Sequence, residues 1–68
     1  MREIFKIEFD ALGQGLPEVI VRKKSDVQKT VQLYVAKYRA MGWAVKHVRV
    51  SKGIRQDVVW EVITNSDL

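Results

Sequence analysis

Apolar and polar residues alternate strictly near the start of the chain: Phe5, Ile7 and Phe9 fall on one side, Lys6, Glu8 and Asp10 on the other. A period of two is what a half-buried β-strand requires, so Ile4–Asp10 is predicted to be a strand. Gly13, Gly15 and Pro17 then crowd into seven residues, Ala11 to Pro17, and predict a turn. Glu18–Lys23 follows as a second strand, antiparallel to the first in a hairpin.

The period changes to three and four at Val27, Val31, Tyr34, Val35, Tyr38 and Met41, the stripe of an amphipathic helix. Ser25 is placed as its N-cap, with Gln28 as the reciprocal partner of a capping box and Asp26 in the first turn. Gly42 is placed just past its end as a left-handed cap, with Lys37 and Arg39 complementing the helix dipole in the last turns.

Trp43–Val50 is rich in β-formers, but Trp43 and Val45 belong to one register and Val48 and Val50 to the other, which predicts a strand with a bulge at Lys46-His47. Ser51-Lys52-Gly53 reads as a turn, and Asp57–Ile63 as the last strand with Val58, Trp60 and Val62 toward the core. Residues 64–68 read as a frayed end. The predicted fold is therefore one α+β domain spanning 1–68, of order β-β-α-β-β, with one helix packed on one face of a four-stranded, mostly antiparallel sheet.

A single helix covers only one face. The other is expected to carry Ile4, Lys6, Glu8, Ile20, Arg22, Val59, Glu61 and Ile63. Scattered surface apolars are ordinary. Clustered on one face of a small domain, they mark an interface, so Ile4, Ile20, Val59 and Ile63 are the candidate contacts for a homodimer or a protein partner.

The segment Tyr38-Arg39-Ala40-Met41-Gly42-Trp43-Ala44-Val45, a helix closing on Gly-Trp and leading into a strand, follows an N-terminal strand. In this half of the chain the sequence resembles a family of small bacterial and phage domains of unknown function. The resemblance implies no activity, and it leaves the hairpin strand and the basic segment unexplained.

With 68 residues and no cysteine, the chain has neither disulfides nor thiolate chemistry, which fits a reducing, cytoplasmic setting. Charges through Met1–Lys6 replace the apolar stretch of a signal peptide, and no apolar run approaches the ~20 residues of a membrane span. Catalytic candidates are few. His47 has no acidic residue within nine positions on either side. Glu8, Asp10, Asp57 and Glu61 are better read as cross-strand ion pairs with Arg22, Lys23, Lys46 and Arg49 than as an acid/base pair. Gly13-Gln14-Gly15 lies between strands and not before a helix, so it is no phosphate loop. No catalytic residue, metal site or cofactor is expected.

Charge is unevenly distributed. Between Arg22 and Arg55 ten Lys or Arg face the single acid Asp26, a net of +9, and the rest of the chain carries −5, which together give the formal +4. Such a block is the electrostatic footprint a phosphate backbone selects, and Arg22, Lys23, Lys24, Lys46, Arg49, Lys52 and Arg55 are the candidate nucleic-acid contacts. The sequence points first to a non-enzymatic interaction or regulatory protein of the kind phages and mobile elements encode, self-associating and binding a partner protein. A basic nucleic-acid-binding regulator is the alternative.

Overall fold

The computed structural model describes the backbone over residues 3–54 and 57–67 and the side chains over 3–53 and 60–67. One helix packs against an antiparallel sheet of five strands, in the order strands, helix, strands. The strands are β1 (Glu3–Ala11), β2 (Gln14–Gly15), β3 (Val19–Val21), β4 (His47–Ile54) and β5 (Asp57–Asp67), and the helix is α1 (Val27–Ala40). The α+β class and the single helix layer agree with the pattern of the sequence.

β1 is the organising strand. It pairs with β2 and β3 on one side and with β4 on the other, and β5 closes the sheet beyond β4. Its alternation is realised residue by residue: Phe5, Ile7, Phe9 and Ala11 are buried, and the residues between them are not. From the helix, Val27, Val31, Tyr34, Val35 and Tyr38 pack onto this core together with Val21, Val45, Val48 and Val50. Phe9 lies at its aromatic centre, stacked with Tyr34 at 6.0 Å and edge-on to Tyr38 at 5.4 Å. The Tyr38 hydroxyl donates to the Pro17 carbonyl at 3.3 Å, tying the loop after β2 to the helix. Met41, predicted for the apolar face, is instead 63 % exposed, because the helix ends at Ala40 before its next turn can reach the sheet.

The two helix ends turn out differently. Gly42, at φ +96°, and its neighbours form a Schellman cap: its N–H bonds to the Arg39 carbonyl, and the Trp43 N–H reaches the Tyr38 carbonyl at 2.9 Å. At the other end the expected capping box is absent. A short 3-10 turn over Lys24–Asp26, closed by the Asp26 N–H on the Lys23 carbonyl, takes up Ser25 within it, and no side chain caps the start of α1. Asp26 pairs with Lys29 at 3.6 Å instead.

Three sequence expectations for the second half are corrected. No bulge forms at Lys46-His47: residues 43–46 stay irregular and bring Val45 into the core, and β4 begins only at His47. Ser51-Lys52-Gly53 is not a turn but the continuation of β4, paired with β1 and β5. A Cβ on Gly53 would stand 3.1 Å from the Trp60 ring, so this glycine leaves room for an indole rather than a bend. Finally, residues 64–67, expected to fray, pair with β4 as far as Asp67 opposite His47. The irregularities lie instead along the β4–β5 pairing, which steps from Ser51↔Val62 to Val50↔Thr64, leaving Ile63 as an extra residue, and shifts again between Lys52↔Glu61 and Ile54↔Asp57.

The first hairpin is tight. Ala11 pairs with Gln14, leaving Leu12-Gly13 as a two-residue loop with both φ angles positive, 54° and 85°, the requirement of a type I′ turn. Leu12 has a Cβ to accommodate there and nothing to gain by burial, being 77 % exposed. A left-handed conformation costs an ordinary residue roughly 1–2 kcal/mol, and asparagine tolerates it. Leu12→Asn is therefore expected to stabilise the protein by about 1 kcal/mol, raising the melting temperature by roughly 4–8 °C in thermal unfolding followed by circular dichroism.

Candidate functional site

The face of the sheet turned away from α1 has no element over it among the described residues. Register places its side chains. Directly opposed residues share a face, so Ile4, Lys6, Glu8 and Asp10 of β1 stand beside Gly53, Ser51, Arg49 and His47 of β4. Ile20 of β3 joins from one side, and Val62, Asn65 and Asp67 of β5 from the other. Trp60 belongs here too: its ring covers Gly53, and the Lys6 ammonium stands 4.5 Å from the ring centroid. This reverses the expectation for the last strand, in which Trp60 and Val62 were to face the core. Continuing β4 through Gly53 changes which residues of β5 oppose it, and Glu61 falls opposite Lys52 on the helix side.

The face divides along the strands into two zones. Toward the Glu3 end of β1 it is apolar, formed by Ile4, Ile20, Trp60, Val62 and the stem of Lys6, with Ser51 2 % exposed at its centre. Ile20 is 49 % exposed and Val62 50 %, both high for aliphatic side chains. Toward the other end lies a charged network bordering a cavity of about 380 Å³. The Arg49 Nε and a terminal nitrogen donate to the two Glu8 carboxylate oxygens, each at 3.0 Å. This fork holds the Glu8 carboxyl below its usual range, against a smaller opposing effect of burial.

His47 is bonded on both ring nitrogens, Nδ1 to the Asp67 carboxylate at 2.8 Å and Nε2 to the Asn65 side-chain oxygen. Two oxygen acceptors suit the doubly protonated ring. The bond to Asp67, then that to Asn65, raises the His47 pKa above its ordinary value, with a further contribution from Asp10 across the strand pair. These partners come from strands far away in sequence, β1 and the end of β5, so local spacing could not reveal them. Both His47 ring nitrogens are thus engaged by side-chain oxygens of β5. Asp10 Oδ1 is buried without a partner among the described residues. No three metal-ligating side chains come together among them.

Of the interface candidates, Ile4 and Ile20 lie in the apolar zone, Ile63 is 43 % exposed at the bulge, and the Val59 side chain lies outside the described residues. Sequence reasoning missed Trp60 and Val62. The four carboxylates do not converge: Glu8 and Asp10 share the network, Glu61 is on the other face, and the Asp57 side chain lies outside the described residues.

The seven basic candidates are divided as well. Arg22, Lys23 and Lys24 form one exposed group after β3, whereas Arg49 is bound to Glu8 and Lys52 pairs with Glu3 at 3.3 Å. Lys46 precedes β4 and Lys52 is near its end, roughly 20 Å away at the rise of a strand. Arg55 lies outside the described residues. No helix among the described residues is long and apolar enough to cross a membrane. No known protein family, curated protein or solved structure matches the chain.

The His47 network carries a pH signature. A pKa raised on folding adds stability that is fully present below the unfolded value, about 6.5, and is lost as pH rises through the folded one. NMR titration of the His47 ring should give a midpoint above about 6.5, and Asp67→Asn should move it down. A wild-type midpoint at or below that of the variant would remove Asp67 as the cause.

Proposed function

We propose that this protein is a non-enzymatic interaction module of the cytoplasm that self-associates through the open face of its sheet and in that form engages a partner protein. The observation that carries this reading is the apolar zone of Ile4, Ile20, Trp60 and Val62, with no element over it among the described residues and an indole among its side chains. Tryptophan is the residue most enriched at the energetic centres of interfaces, and an apolar centre beside a charged margin is the usual anatomy of one.

Size supports the same reading. A core of 68 residues without disulfides rarely yields more than ~3–5 kcal/mol, and burying a second face is a direct way to add to it. The network of Glu8, Arg49, His47 and Asp67 contains both signs of charge, so two copies related by a two-fold axis can meet without like charges being forced together. Within this network Glu8 is engaged by Arg49 and His47 by Asp67, which supports binding rather than chemistry.

Nucleic-acid binding is the weaker reading, because Arg49 and Lys52 are neutralised within the fold and Lys46 stands apart from Arg22, Lys23 and Lys24.

In sedimentation equilibrium the wild-type protein is expected at twice its chain mass, and Ile20→Asp or Val62→Asp at the monomer mass with unchanged secondary structure. A wild-type monomer at ~100 µM, or dimers in both variants, would refute the choice of face; the concentration is set well above the micromolar affinity of a modest interface. Titration with mixed-sequence oligonucleotides should lack the ~10³–10⁵ loss of affinity between ~50 and ~200 mM salt that six to ten phosphate contacts produce.

A further inference from the structure

The opposite margin of the sheet has a second unoccupied feature. β3 pairs only with β1, so its outer backbone edge is open among the described residues. Between that edge and α1 runs a groove of about 610 Å³. Val19 and Val21 from the strand and Leu33 and Tyr34 from the helix give it apolar walls, with Thr30 and the Asp26–Lys29 pair also on the helix side. Leu33 is 64 % exposed although it sits two turns inside the helix, where an ordinary solvent-facing position would carry a polar residue.

The rim is basic. Arg22 lines the groove, Lys23 and Lys24 continue from it, and all three are exposed without an acidic partner among the described residues. Lys29, on the helix side, is matched by Asp26. The groove thus combines an open strand edge, an aliphatic wall and uncompensated positive charge at one end.

We infer that this groove binds an extended acidic peptide, which adds as a strand to the outer edge of β3, lays an aliphatic side chain against Leu33 and Val21, and sets its carboxylates against Arg22, Lys23 and Lys24. Strand addition supplies affinity through main-chain hydrogen bonds, and the pockets for alternate side chains supply specificity. A three-residue strand offers few such bonds, so the side-chain contacts carry much of the selectivity. A nucleic-acid strand fits less well, because single-strand recognition rests on free aromatic faces. Tyr34, the one aromatic of the groove, stacks on Phe9 and has the Lys37 ammonium 5.4 Å from its centroid.

This surface is separate from the dimer face except at Ile20, which borders both, so the test leaves Ile20 untouched. A displayed library of random dodecapeptides is selected against the wild-type protein, and the most enriched peptide is synthesised and titrated into isotopically labelled protein. The expected peptide alternates aliphatic residues with Asp or Glu and shifts the amides of Val19–Arg22 and Thr30–Leu33. Leu33→Glu and Arg22→Glu, both at exposed positions, should each weaken its binding about tenfold or more while leaving the remaining amide spectrum unchanged. No enrichment, enriched peptides without acids, shifts confined to the open sheet face, or binding that survives Leu33→Glu would each overturn the inference. So would a twelve-residue oligothymidine that shifts the same amides more tightly than the peptide.

Discussion

Sliding β1 by one residue against β4 would send Phe5, Ile7 and Phe9 to the open face and bury Lys6, Glu8 and Asp10 beneath the helix. That prohibition is the constraint on which the molecule depends. The register that satisfies it also sets Glu8 directly across from Arg49 and Asp10 across from His47, so core packing and charge pairing are two consequences of one alignment. Cross-strand pairs contribute only ~0.2–1 kcal/mol each, far less than the burial of two phenylalanines, so the hydrophobic side chooses the register and the charged side conforms to it.

Much of this is legible in the order of residues, and what is not has identifiable causes. The alternation of β1 and the three-and-four spacing of α1 are readable because each has one apolar side and one polar side. Gly42 is readable because its role is local. Gly53 is not, since glycine in a strand and glycine in a turn look alike until the Trp60 ring is found above it. Misplacing that one residue reverses the faces of Trp60, Glu61 and Val62, which is why the candidate interface contained Ile63 and Val59 and omitted the indole. The tail at Thr64–Asp67 lacks apolar residues and reads as unstructured, yet its backbone finds partners in β4 and its side chains in His47.

The charged residues show the limit of counting. A net of +9 over one stretch suggests a single basic surface, but pairing brings Glu3 and Glu8 from outside that stretch to Lys52 and Arg49. What remains exposed and uncompensated is local, at Arg22–Lys24, beside a groove and not along a ridge. The two ends of the sheet therefore offer different chemistry: a broad apolar and charged face on one surface, a narrow cationic cleft at one margin.

The bulge at Ile63 bears on the protein's behaviour as a material. β5 is eleven residues long, lies at the sheet margin, and contains neither proline nor lysine, the usual guards against indiscriminate strand stacking. A straight strand of that length would act as a template for further chains and seed fibrils. The extra residue at Ile63, with the second shift between Lys52 and Ile54, interrupts the regular spacing of the ladder and sharpens the local twist, so an incoming strand cannot match the whole of β5. The same irregularity that steps the β4–β5 register at Ile63 thus limits how far a further strand could pair along this margin.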